Sequence, residues 1–130
     1  MNGQGNIGGD FLYDIPDTRF NGIYKISPKG IVYDCKLKRQ VTIRYDRNGN
    51  ACCTLRVNDD SRMKRKIYLS HLLGFTFLNY EKMGLDFITI GFQDGNSKNI
   101  RLDNLIVIHT LNDYFIDTPL PDVSDMFDLD

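Results

Sequence analysis

A chain of 130 residues is the size of one domain, long enough to bury a core and too short for two. Its 42% apolar and 25% charged residues exclude a wholly disordered chain, and no apolar run approaches the ~18 residues of a membrane-spanning helix. The net charge of −1 conceals a segregation: Met1–Thr18 holds three acids and no base, Arg19–His109 all sixteen Lys and Arg against eight acids, and Thr110–Asp130 six aspartates and no base. A body carrying +8 between acidic ends suits a polyanionic partner. Cys35, Cys52 and Cys53 are odd in number, two of them adjacent, so neither a disulfide framework nor a zinc site is expected. Met1–Asp10 lacks a basic region followed by an apolar one, so a cytoplasmic location is expected, with no membrane partner.

Asn2–Gly9 is rich in Gly and Asn. Asp10–Pro16 brings Phe11, Leu12, Tyr13 and Ile15, which are expected to tuck against the body; residues 1–18 form an N-terminal arm. Arg19–Ser27 reads as a strand, closed by the turn Ser27-Pro-Lys-Gly30 with glycine where φ must be positive. Ile31, Tyr33, Cys35 and Leu37 alternate with Val32, Asp34, Lys36 and Lys38, which predicts a half-buried strand. The next predicted strand places Val41, Ile43 and Tyr45 on one face and Thr42, Arg44 and Asp46 on the other. Asn48-Gly49 is the strongest hairpin signal in the chain. Its return strand is expected to turn Ala51, Cys53, Leu55 and Val57 inward and Cys52, Thr54 and Arg56 outward. After a turn at Asn58–Ser61, Met63, Ile67 and Leu69 are expected inward and Arg62, Lys64, Lys66 and Tyr68 outward, with Arg65 breaking the inward face.

Ser70 is the predicted N-cap of a short helix from His71 to about Asn79. Leu72, Leu73, Phe75, Phe77 and Leu78 lie on nearly every side of it, so it should be sandwiched. Two further strands, Phe87–Phe92 and Leu105–His109, flank a polar loop containing Asp94, Gly95, Asn96, Asn99, Asp103 and Asn104, side chains that tie down their own backbone in turns. A helix is expected from about Leu111 to Pro119. Pro119–Asp130 has two prolines and alternates acids with apolar residues; it cannot bury enough surface to fold alone.

The pattern Asp94-Gly95-Asn96-x-x-Asn99-x-x-x-x-Asn104-Leu105 resembles the signature loop of HNH-type endonucleases. Ile23-Tyr-Lys-Ile-Ser-Pro-Lys-Gly-Ile-Val-Tyr33 is similar to the β-rich module that precedes the nuclease part in homing-type members from phages and mobile elements. Ser70–Leu78 is similar to the family's next helix, with His71 in the histidine position; the resemblance covers roughly Phe20–Tyr114. It implies an α+β domain over residues 19–118: an N-terminal antiparallel β-strand module (19–69), then a short buried helix and an HNH-like ββα unit (70–118), with 119–130 as an acidic tail.

In such a site a histidine acts as general base and an aspartate just before it holds a divalent cation. The resemblance places Phe92 and Gly91 at those two positions. A phenyl ring takes no proton, and Asn112 or Asp113 alone would hold Mg²⁺ weakly. Asp94 is expected to pin the loop rather than to bind metal, and His71 and His109 to be structural. The chain is therefore expected to be a catalytically inactive HNH-like phage or mobile-element protein, without a cofactor. It would retain nucleic-acid binding, to double-stranded DNA, through Lys36, Lys38, Arg44, Arg56, Arg62, Lys64, Lys66, Lys98 and Arg101. Two alternatives stand beside it. One is a protein–protein module, a virion component or an inhibitor of a host protein, docking through the fold and the tail residues Leu120, Met126, Phe127 and Leu129. The other is an active endonuclease using Mg or Mn in a rearranged site.

Overall fold

The computed structural model describes residues 6–7 and 10–109. In chain order the strands are β1 (Asn6–Ile7), β2 (Asp10–Phe11), β3 (Tyr13–Asp14), β4 (Tyr24–Ile26), β5 (Val32–Asp34), β6 (Arg39–Gln40), β7 (Arg44–Tyr45), β8 (Ala51–Val57), β9 (Asp60–Tyr68), β10 (Ile88–Phe92) and β11 (Leu105–His109). One helix, α1 (Leu69–Phe77), and two 3-10 turns, Leu85–Phe87 and Leu102–Asn104, complete the α+β architecture. The strands pair antiparallel throughout, in sheets ordered β1-β2, β3-β4-β5-β6, β7-β8-β9 and β10-β11.

Chain reversals set the registers. Gly30 takes φ +92° and Gly49 φ +84°, at the turns the sequence marks. Asn58 and Asp59 take φ +55° and +59°, the left-handed pair of a type I′ hairpin, so Val57 meets Asp60 and the turn ends before Asp60. The core gathers where the sheets meet α1: Ile15, Phe20, Tyr24, Ile26, Leu55, Leu72 and Leu73 are all buried. Leu12 and Ile15 belong to this buried set, and β3 pairs with β4, so the segment expected as an arm contributes directly to the body.

Several expected elements differ, each for a tertiary reason. The strand foreseen over Arg19–Ser27 is only β4. The Phe20 and Asn21 N–H groups both donate to the Asp17 carbonyl, a turn that drives the Phe20 ring into the core. On β5 the inward residues are Val32 and Asp34, not the Ile31–Leu37 series; Leu37 is 52% exposed, because Asp34 is drawn inward to Arg56. Of the strand foreseen over Val41–Asp46 only Arg44–Tyr45 forms, as β7 paired with β8, while β6 just before it pairs with β5. Tyr45 is exposed as a result. Cys52 is buried beside Cys53, so both faces of β8 are covered there. Met63 is exposed, lying in the irregular stretch of β9 beyond the register shift at Arg56/Val57. Ser70 does not cap α1: β9 runs straight into the helix, which starts at Leu69 with Tyr68 as N-cap, and Leu69 is buried against Gly30. Phe87 lies in a 3-10 turn before β10 and is exposed. The helix expected from Leu111 and the tail 119–130 lie outside the described residues. Among the described residues no helix is long and apolar enough to cross a membrane.

Helix α1 is buried through Leu69, Leu72, Leu73, Gly74 and Phe75, which reach both the β8–β9 hairpin and the β10–β11 pair. Gly74 has no room for a side chain: an added Cβ would fall against Ile90 and Val107. Gly74→Ala should therefore destabilise the fold by about 1–3 kcal/mol through overpacking, despite alanine's better helix propensity. A lower urea midpoint at unchanged m-value would show it; an unchanged or higher midpoint would refute this packing.

Candidate nucleic-acid interface and signature loop

The loop between β10 and β11 is held by one carboxylate and one buried amide. Asp94 Oδ1 accepts from the Asn96 N–H (2.8 Å) and from Asn104 Nδ2 (3.0 Å), while Oδ2 accepts from Asn99 Nδ2 (2.8 Å). Asn104, itself buried, returns its Oδ1 to the Asp94 N–H (3.1 Å) and donates again to the Asn99 carbonyl (2.8 Å). Asn96 Oδ1 accepts from the Lys98 N–H (3.0 Å), and Gly95 turns the chain at φ +73°. These bonds, led by Asn99 and followed by the Asn96 N–H and Asn104, hold the Asp94 carboxyl below the ordinary Asp range. At neutral pH it is a fixed acceptor at the centre of the loop.

A divalent cation does not fit this donor set. Gly91 offers no ligand, and Phe92 presents a hydrocarbon ring that packs against the core. Both Asp94 oxygens are engaged inside the loop, and Asp103 pairs with Arg101 at 2.6 Å. Among the described residues no three His, Cys, Asp or Glu side chains converge as a metal site. His71, half-buried at the start of α1, is bonded through Nε2 to the Leu85 carbonyl at 3.0 Å, which ties the helix to the turn before β10. Asn112 and Asp113 lie outside the described residues.

The nine expected cationic contacts divide into two groups. Arg56 is engaged: it meets Asp34 (2.6 Å) and Asp59 (2.9 Å), and its guanidinium lies 5.3 Å from the centre of the Tyr24 ring. The Tyr24 hydroxyl accepts from the Arg56 N–H at 2.9 Å. Arg62 is paired with Asp60 and Arg101 with Asp103. Lys36, Lys38, Arg44, Lys64, Lys66 and Lys98 are exposed, and among the described residues none of them makes an ion pair.

Register explains where three of these stand. Arg44 lies opposite Cys52 and Cys52 opposite Tyr68; Thr54 lies opposite Lys66, and Arg56 opposite Lys64. Because Cys53, Leu55 and Ile67 enter the core on the other face, Arg44, Lys64 and Lys66 share the outer face of the β7–β9 sheet. Beside them runs a groove of about 550 Å³ lined by Arg39, Arg44, Arg56 and Lys64 with Thr42 and Thr54. Arg39 was not among the expected contacts; the signal that could have found it is the basic run Lys36-Leu37-Lys38-Arg39. Lys36 and Lys38 sit on the turn after β5, and Lys98 and Arg101 on the signature loop. The tail residues Leu120, Met126, Phe127 and Leu129 lie outside the described residues.

No family model matches the chain, and no curated protein matches it. A solved structure, described as "DNA binding and cleavage by the HNH homing endonuclease I-HmuI", shares the fold: the TM-score is 0.58 at 19% identity, over 85% of this chain. The chain spans 61% of that protein's length.

Burial alone would push the Asp34 carboxyl up, but the Arg56 guanidinium and the Leu37 and Lys36 N–H groups outweigh it and hold it below the ordinary Asp range. Its stabilisation is complete above the unfolded Asp pKa of about 3.9 and disappears as pH falls through the lower folded value. Asp34→Ala should cost about 3 kcal/mol at pH 7, because it leaves the largely buried Arg56 without its shortest partner. Urea titrations should show that difference shrinking below about pH 4; a loss that is the same at pH 3 and pH 7 would contradict this account.

Proposed function

We propose that this chain is a nucleic-acid-binding protein on an HNH-type scaffold that no longer hydrolyses phosphodiesters. The observation that carries the binding is the one-sided display of Arg44, Lys64 and Lys66 on the outer face of β7–β9, beside the groove containing Arg39. Of the nearby acids, Asp34 and Asp59 are taken up by Arg56 and Asp60 by Arg62, while Asp46, held by the Tyr68 hydroxyl, offsets part of the charge of Lys66. Cations free of internal partners can release counterions on meeting phosphate, which gives affinity with little sequence choice. Fold likeness to an endonuclease described as binding and cleaving DNA supports double-stranded DNA as the partner. The loop and β-module resemblance supports an origin in a phage or another mobile element. The silent chemistry follows from Phe92 and Gly91, which supply neither a proton acceptor nor a metal ligand.

Fluorescence anisotropy with a labelled duplex of about 20 base pairs tests the binding. Affinity should fall steeply as salt rises, and Arg44→Ala and Lys64→Ala should each lower the slope of log K against log salt by about 1. Absence of binding at low salt would overturn the assignment. Supercoiled plasmid incubated with the protein and Mg²⁺ or Mn²⁺ should remain supercoiled; nicking would show that the scaffold still cuts.

A further inference from the structure

The inner face of β10 carries Ile88, Ile90 and Phe92 toward α1. Beside Phe92 a cavity of about 290 Å³ opens between β10, the start of α1 and the β7–β8 hairpin. We infer that this cavity receives one unpaired nucleobase of a bound nucleic acid, with the adjoining phosphate held at its rim by Lys98. The inference rests on the nucleic-acid binding proposed above and names the feature of the nucleic acid that this second site would take.

Shape is the first support. Phe92, Ile90 and Ile100 form apolar walls, and Tyr68, 44% exposed, offers an aromatic ring. The Tyr68 ring is fixed because its hydroxyl donates to Asp46 Oδ2 at 2.8 Å. The volume lies near the lower limit of small-molecule sites, about 300 Å³, which suits one flat ring system rather than a folded segment. Aromatic faces accept any base, because every base has a π surface.

The polar lining is the second. Asn50 Oδ1 accepts from Ser97 Oγ at 2.7 Å, which leaves Asn50 Nδ2 as a donor without a partner among the described residues. Ser70 Oγ likewise has none there. His71 Nε2 meets a carbonyl and must donate to it, so in the neutral imidazole Nδ1 is an acceptor. A donor, an acceptor and a hydroxyl around an aromatic slot are the groups that read the edge of an extruded base.

Charge is the third. No acidic residue lines the cavity, and the Lys98 side chain lies across Gly49, next to Asn50. Gly49 permits this twice over: it takes φ +84°, and any Cβ there would collide with Lys98. An apolar peptide side chain would make no use of that cation, whereas a nucleotide brings its phosphate to it.

The test uses the full chain and three labelled duplexes: fully paired, with one bulged adenine, and with an abasic residue in the bulge. The bulged adenine should bind about tenfold more tightly than the paired duplex, and the abasic bulge should lose that gain. Phe92→Leu, which keeps an apolar side chain but removes the flat ring, should abolish most of the gain while leaving paired-duplex affinity and its salt slope unchanged. Ser70→Ala, a mild change in a helix, should reduce the gain severalfold and serves if Phe92→Leu melts early. Equal, salt-sensitive affinity for all three duplexes would overturn the base pocket and leave the proposed function standing, as would equal affinity for the two bulges. Failure to bind any duplex would overturn both.

Discussion

At Gly74, α1 lies close against the β10–β11 pair, with Ile90 and Val107 occupying the space a side chain would need. The β7–β9 and β10–β11 sheets share no strand, so α1 rather than a ladder of backbone hydrogen bonds relates them. The helix packs against both the β8–β9 hairpin and the β10–β11 pair, with Leu72 and Leu73 fully buried. A helix apolar on nearly all sides is stable only between two such partners. The His71–Leu85 bond adds a polar tie at the same place, linking the start of the helix to the turn that leads into β10.

The polar net around Asp94 and Asn104 fixes the shape of the β10–β11 loop independently of any reaction chemistry. Every bond in it joins side chains and backbone within residues 94–104. Positions 91 and 92 lie on the strand beforehand and take no side-chain part in it. The loop therefore keeps its form whatever side chains stand at positions 91 and 92. The Phe92 ring gives the space beside it an apolar wall, together with Ile90 and Ile100.

Electrostatics in the β module follow from pairing rather than from counting. Asp34 and Asp59 neutralise Arg56 and Asp60 neutralises Arg62, and among the unpaired cations register turns Arg44, Lys64 and Lys66 outward. A buried carboxylate on β5 is tolerable only because Arg56 and two N–H groups meet it. That pair in turn orients Tyr24, whose hydroxyl accepts from the Arg56 backbone. One ion pair thus sets the inward face of β5 and removes a cation from the outer surface of β8.

What the residues determined by themselves was local. The reversals at Gly30 and Asn48-Gly49, the strand Leu105–His109 and the Asp94 loop were legible because turn conformations and Asx hydrogen bonds are decided within a few residues. The sandwiching of α1 was legible from its apolar sides. Only the tertiary structure decided that Asp34 turns inward, that Arg56 is spent on an internal partner, that Leu69 rather than Ser70 starts the helix, and that Met63 stays in solvent. Arg39 joined the groove by the same route. The long-range ones depend on a group that arrives from elsewhere in the chain: Arg56 reaches Asp34 across 22 positions, and Leu69 packs on the Gly30 turn. Alternation along a strand carries no record of such partners, because it reports only which side a residue faces and not what waits there.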